Sequence, residues 1–374
     1  MRLKMKFEVH EVKTISIHKS YHGWPTITRT KTGELLVVSS AGREHHICPF
    51  GEVQLIRSND NGQTWSEPEI IVNGPLDDRD AGILQTSKGT VLVNWFTSLA
   101  WMDTLKAHET QGSKAPMSDH LGKKFTDGFF SRCRKIRSLL SDDIIRSELG
   151  TWIICSSDGG HTWSDKIDCG VGSPHRPTEL AGGRLLFVGN AKVADSSNGA
   201  PYAPMLIASE SCDDGCSWRR IGEIPQRPGD SSGTYHEPHA VQAPDGRIIV
   251  HIRNHSEQDG GCILQSESSD GGQTFSIPRN TGLIGHPAHL LVMRDGRLLT
   301  TYGYRSDPYG NRASISEDGG RTWGEPVILD EKNGSRDIGY PSTVELDADS
   351  FLSVWYEQLP GDEMSSLQAA HWTI

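Results

Sequence analysis

"SSDGGHTW" runs from Ser156 to Trp163, and the chain spells close variants of it four more times. These are "SNDNGQTW" from Ser58, "SCDDGCSW" from Ser211, "SSDGGQTF" from Ser268 and "SEDGGRTW" from Ser316. The shared template is S-x-D-x-G-x-x-W/F, and its aspartates Asp60, Asp158, Asp213, Asp270 and Asp318 lie 98, 55, 57 and 48 residues apart. Recurrence at this interval marks a repeat architecture. Ser and Asp side chains bond backbone amides inside a turn, Gly supplies a positive φ, and Trp packs against a neighbouring unit. The octet therefore reads as a structural staple rather than as five catalytic acids.

Each staple closes a longer unit. "AVQAPDGRIIVHIRN" (Ala240 to Asn254) precedes "CILQSESSDGGQTF", and "HLLVMRDGRLLTTYGYR" (His289 to Arg305) precedes "RASISEDGGRTW". Asp-Gly between short β-branched runs is a hairpin signal, so each unit reads as strand, tight turn, strand, loop, strand, staple and fourth strand. Such units are propeller blades. Six begin near Trp24, Ala81, Pro177, Pro238, Pro287 and Pro341. The predicted fold is all-β, one six-bladed propeller of four-stranded antiparallel blades spanning residues 1–374. The last unit runs out of chain after three strands, and "FEVHEVKTISIH" (Phe7 to His18) is expected to supply its fourth. The 98-residue interval is one blade with an insertion at about 99–148, which reads as one or two short amphipathic helices.

The net charge of −11 argues against nucleic-acid binding driven by overall charge. No apolar run approaches the ~20 residues needed to span a bilayer, so no membrane partner is expected. "MRLKMKFEVHEV" lacks the apolar core of a secretory signal. Seven cysteines without paired spacing suit free thiols in a reducing compartment, and a cytoplasmic location is expected.

Strand alternation sorts residues by face. The D-G turns and the staples share one end of the ring, so the starts of the first strands and the ends of the second strands share the other. That second set is rich in Arg and His: "YHGWP", "DDRDAG", "SPHRP", "TYHEPH", "GHPAH" and "DIGYPS" at strand starts, and "AGREHH", "HIRNH" and "WYEQ" at strand ends. An acidic chain that gathers cations in one mouth is suited to a small anionic or polyhydroxylated ligand. The insertion should stand over the same mouth, as a lid or as a contact in a homo-oligomer.

On these repeats and segments the chain resembles the sialidase (neuraminidase) superfamily, six-bladed propellers with Asp-box repeats. The resemblance implies an exo-acting glycoside hydrolase that releases a terminal acidic sugar. It places Tyr340 of "GYPS" as nucleophile, Glu237 as its partner, and Arg43, Arg253 and Arg312 (or Arg305) as carboxylate-binding arginines. It also places Asp80 against substrate and Glu357 of "WYE" as an arginine's buttress. Two positions depart from the family pattern. Gly23 stands where the first arginine belongs, and no Asp follows Arg43. His46, His45 or Glu44 are the candidate proton donors, with His46 favoured, and Arg79, Arg176 and His22 are the substitute anion ligands.

The chemistry fits these types. A phenol with pKa ~10 needs a neighbouring base to attack an anomeric carbon, and tyrosine avoids the repulsion that a carboxylate nucleophile meets from an anionic sugar. A His of ordinary pKa can protonate the leaving oxygen. His236/His239 and His286/His289 have His-x-x-His spacing, but we read His239 and His286 as hydroxyl-binding groups and expect no metal and no cofactor. Two rival readings are a polysaccharide lyase acting on a uronate and a non-catalytic carbohydrate-binding propeller.

Overall fold

A computed structural model describes residues 7–16, 20–116, 118–119, 121–192, 202–331 and 334–374. The strands form six sheets arranged as the blades of a ring. Blade one is Tyr21–Arg29, Leu35–Arg43, Glu52–Ser58 and Glu69–Val72, counted from the axis outwards. Blades two, four and five repeat that antiparallel order. In blade three the innermost strand is split into Val171–Gly172 and Thr178–Glu179, both paired to Leu185–Lys192. Blade six closes the ring as the sequence suggests: Glu8–Thr14 pairs antiparallel with Ser366–Thr373, from Glu8 opposite Thr373 to Thr14 opposite Gln368. Ile17 and His18, expected in that strand, lie outside the described residues.

The staples do what their chemistry predicts. In the first, the Ser58 hydroxyl donates to Asp60 Oδ1 (2.8 Å) and accepts the Gly62 amide (2.8 Å). Asp60 Oδ1 also accepts the Thr64 amide (2.9 Å). Gly62 has φ +86° and the preceding Asn61 has φ 58°, which is why the two central positions use Gly, Asn or Asp. The aromatic that ends each octet packs across a blade boundary. Trp163, for instance, lies on a cluster that joins Leu36, Val38 and Leu55 of blade one to Ile83, Val91 and Val93 of blade two. Each such buried aliphatic contributes ~1.5–3 kcal/mol, so the inter-blade cores hold the ring together.

These turns predict a pH dependence. The Thr64 hydroxyl and amide hold Asp60 at about 2, and Thr274 does the same for Asp270. Both values lie below the ordinary 3.8, so the stabilisation is complete above 3.8 and is lost as pH falls through about 2. Asp270→Asn is expected to lower Tm at neutral pH by an amount that shrinks towards pH 2. A Tm difference that does not change with pH would contradict this assignment.

Among its described residues the insertion forms three α-helices where one or two helices were expected: α1 (Ala100–Gln111), α2 (Asp127–Leu139) and α3 (Asp142–Glu148). The Thr126 hydroxyl caps α2 by accepting the Phe129 amide (3.0 Å), and Ser141 caps α3 through the Ile144 amide (3.2 Å). Trp101, Leu105, Phe129 and Phe130 pack with Cys48 and Leu76 of the propeller, so the insertion has a core of its own against the ring. His45 and Glu44 anchor it. His45 Nδ1 lies 3.0 Å from Asp119 Oδ2, and Glu44 pairs with Arg132. Both are thereby committed to the insertion rather than to proton transfer.

Candidate active site

One backbone device builds the site. Trp24, Asp80, Glu237 and Tyr340, at the starts of four innermost strands, have φ of 53°, 57°, 46° and 53°. Each falls within a register shift of the first hairpin, namely Gly23/Thr26, Arg79/Gly82, His236/His239 and Gly339/Ser342. A bulge with a left-handed residue re-aims that side chain. Three of the four precede a proline, which lacks the N–H that a bulge leaves without a ladder partner. Non-glycine residues held there cost ~1–3 kcal/mol each and cluster at functional sites.

These four side chains line one cavity of ≈ 580 Å³. At its wall the Tyr340 hydroxyl donates to Glu237 Oε1 (2.7 Å), while Arg253 Nη1 donates to Glu237 Oε2 (2.7 Å) and lies 3.1 Å from Tyr340 Oη. Arg305 lies over the Tyr340 ring at 5.6 Å and donates from Nε to the Ile338 carbonyl (2.9 Å). Burial alone would raise Glu237, but Arg253 and the Tyr340 hydroxyl hold it at about 2, so it is ionised. Burial and the Glu237 charge push the Tyr340 phenol well above its ordinary range, so the resting pair is phenol and carboxylate.

Trp24 forms the blade-one wall. Its ring is covered by the Arg79 guanidinium at 4.6 Å and the Arg43 guanidinium at 5.2 Å, and His46 meets it edge-on at 4.9 Å. The insertion adds Ala100 and Leu121 to the lining.

Of the residues singled out in the sequence, Tyr340, Glu237, His46, Asp80, Arg79, Arg253, Arg305 and His286 line this cavity. Arg43, Arg312, His239, His22, Glu357 and Arg176 do not, and Arg176 donates instead to the Pro177 carbonyl (3.2 Å). Arg43 is fully buried and makes a bidentate pair with Asp77 (2.5 and 2.9 Å), because two neighbouring strand ends bring them together in the interior. Arg312 turns to Glu331 (2.5 Å) and to the Asp330 carbonyl on the outer strand of its own blade, and Arg305 takes the place facing the cavity. His239 lies deeper, its Nδ1 accepting the Leu290 amide (2.9 Å) and its ring stacked on His289 at 4.5 Å. His22 occupies a crevice with Ile15, Val37 and Leu367, where blades one and six meet. Glu357 is buried opposite Ile338 and Ser366. Sequence reasoning missed Trp24 and Asp337 as lining residues, although the X-Pro step and the "DIGYPS" segment signalled both positions.

The BNR repeat-like domain matches residues 143–353, more than half of the chain, and the chain belongs to that family. Its propeller fold is shared with solved sialidases. A solved protein of unknown function from Dyadobacter fermentans DSM 18053 is 23% identical, with TM-score 0.76 over 98% of this chain and 99% of its own. The intramolecular trans-sialidase from Ruminococcus gnavus, solved in complex with oseltamivir carboxylate, is 15% identical, with TM-score 0.66 and 95% of each chain covered. The Hadza microbial sialidase Hz136 is 18% identical, with TM-score 0.62 over 94% of this chain and 65% of its own. A search of curated proteins returns no match.

Proposed function

We propose that the protein is an exo-acting, retaining glycoside hydrolase that removes a terminal anionic sugar. The observation that carries this reading is the Tyr340–Glu237–Arg253 cluster on the wall of the axial cavity. Tyr340 attacks the anomeric carbon as Glu237, a carboxylate already bonded to its hydroxyl, takes the proton. Arg253 offsets the charge gathered there and, with Arg305 and Arg79, supplies cationic donors for a carboxylate substituent on the sugar. The ≈ 580 Å³ cavity suits a single ring better than an extended chain. The neighbours named above as a sialidase and as a trans-sialidase solved with oseltamivir carboxylate support an acidic sugar.

A screen of aryl glycosides of sialic acid, hexuronic acids and neutral hexoses tests this. Phenol release confined to acidic sugars is expected. An unsaturated sugar product would indicate elimination instead. Binding without turnover, equal in wild type and Tyr340→Phe, would reduce the protein to a carbohydrate-binding module.

A further inference from the structure

The three carboxyl groups lining the cavity differ in what they touch. Both Glu237 oxygens are engaged, one by Tyr340 and one by Arg253. Asp337 Oδ1 accepts from the Tyr21 hydroxyl (3.1 Å) and the Tyr356 hydroxyl (3.0 Å). Asp80 is 6% exposed, and its buried Oδ1 has no hydrogen-bond partner among the described residues. Its nearest cationic atom is Arg79 Nε at 3.9 Å. Its backbone is held in the left-handed region and anchored by its amide to Ser40 Oγ (2.8 Å). A buried polar atom without a partner requires an explanation, and the residue that carries it lines the cavity where substrate would sit.

We propose that Asp80 is the proton donor to the leaving oxygen, so that the acid/base function expected at His46 resides in blade two. The proposal rests on the hydrolase reading above. A carboxylic acid whose O–H is not claimed by a protein acceptor is free to give it to a substrate. Burial pushes Asp80 up to about 7, with Arg79 and Arg43 opposing the rise and Glu237 and Asp77 adding to it, so much of it stays protonated near neutral pH. Tyr340, which lines the same cavity, is itself a neutral phenol at that pH. His46 is placed differently. Its Nδ1 lies 2.9 Å from Tyr21 Oη, whose own proton goes to Asp337. Nδ1 is then the donor to Tyr21 Oη, which commits that ring proton to Tyr21 rather than to a leaving group.

The step balances. As the Tyr340 oxygen bonds the anomeric carbon and the bond to the leaving oxygen breaks, Asp80 protonates that oxygen and Glu237 takes the phenol proton. A water then attacks the same carbon. Asp80 carboxylate takes one proton of that water, whose O–H stays on the sugar, and Glu237 returns the phenol proton to Tyr340 as its bond to carbon breaks.

The test uses the full-length protein with Asp80→Asn, His46→Gln and Tyr340→Phe, assayed on 4-nitrophenyl and methyl glycosides of sialic acid and glucuronic acid. Asp80→Asn is expected to lose on the order of 10³-fold on the methyl glycoside, which needs protonation, and under ~10-fold in the bond-breaking step with nitrophenolate. His46→Gln should lose the same factor on both. Wild-type kcat/KM should fall as pH rises through about 7, and this limb should be absent from Asp80→Asn. A readout independent of activity follows from linkage. Because the folded value of about 7 exceeds the ordinary 3.8, the folded protein binds an extra proton between them and loses stability as pH rises through that window. Asp80→Asn should therefore melt higher than wild type at pH 8, with the difference shrinking towards pH 4. Equal losses on both leaving groups, a retained alkaline limb, or leaving-group dependence in His46→Gln would overturn the assignment. Turnover retained in Tyr340→Phe would instead overturn the hydrolase reading on which it rests.

Discussion

Tyr340→Phe is expected to lower kcat on the order of 10³-fold or more on any aryl glycoside the protein accepts. The substitution deletes one oxygen and keeps the ring that Arg305 and Trp24 pack against. Glu237 retains its bond to Arg253, so its charge stays compensated after the hydroxyl is gone. The hydroxyl's bonds to Glu237 and Arg253 are lost while those two stay paired with each other, a net cost of about 1.5–3 kcal/mol that is too little to unfold a ring closed by inter-blade cores. Near-native Tm with lost turnover is therefore the expected pattern. Wild-type kcat in this variant would exclude the phenol as nucleophile.

Arg43→Met is expected to act through stability instead. Arg43 and Asp77 have no exposed side-chain surface and form two direct bonds. Removing one partner of such a pair strands a buried charge, at a cost of about 3–5 kcal/mol. Arg43 Nη2 also donates to the His46 carbonyl (2.9 Å), so the loop carrying His46 should loosen as well. Denaturant unfolding reads this directly. A loss below ~1 kcal/mol, with KM for an anionic substrate raised instead, would return Arg43 to the carboxylate-binding role that the family resemblance implies.

The fold was legible because its information is local. The Ser–Asp–Gly bonds within Ser58 to Thr64 close inside seven residues, so the motif alone specifies the turn, and its spacing counts the blades. The starts of the innermost strands were legible for the same reason, since Trp24, Glu237 and Tyr340 each precede a proline. What failed depends on partners distant in sequence. Nothing near Arg43 announces Asp77, and nothing near Arg312 announces that Glu331 draws it outwards while Arg305, just past the strand end, turns in. His239 is two residues from Glu237, but it lies one layer below the cavity against His289, where a strand-period count places both on one face. Trp24 stands in "YHGWP" one residue past Gly23, where the family pattern has an arginine, so that pattern carries no signal for the ring that walls the site.

Covalent catalysis at the axis can be tested in one measurement. The protein is incubated with fluorosugar fluorides of sialic acid and glucuronic acid, whose ring fluorine slows breakdown of a glycosyl intermediate, and its intact mass and peptides are then read by mass spectrometry. A single glycosyl adduct mapped to Tyr340, and missing from Tyr340→Phe, is expected. Fluoride release without an adduct, or an adduct on any other side chain, would contradict a tyrosine nucleophile.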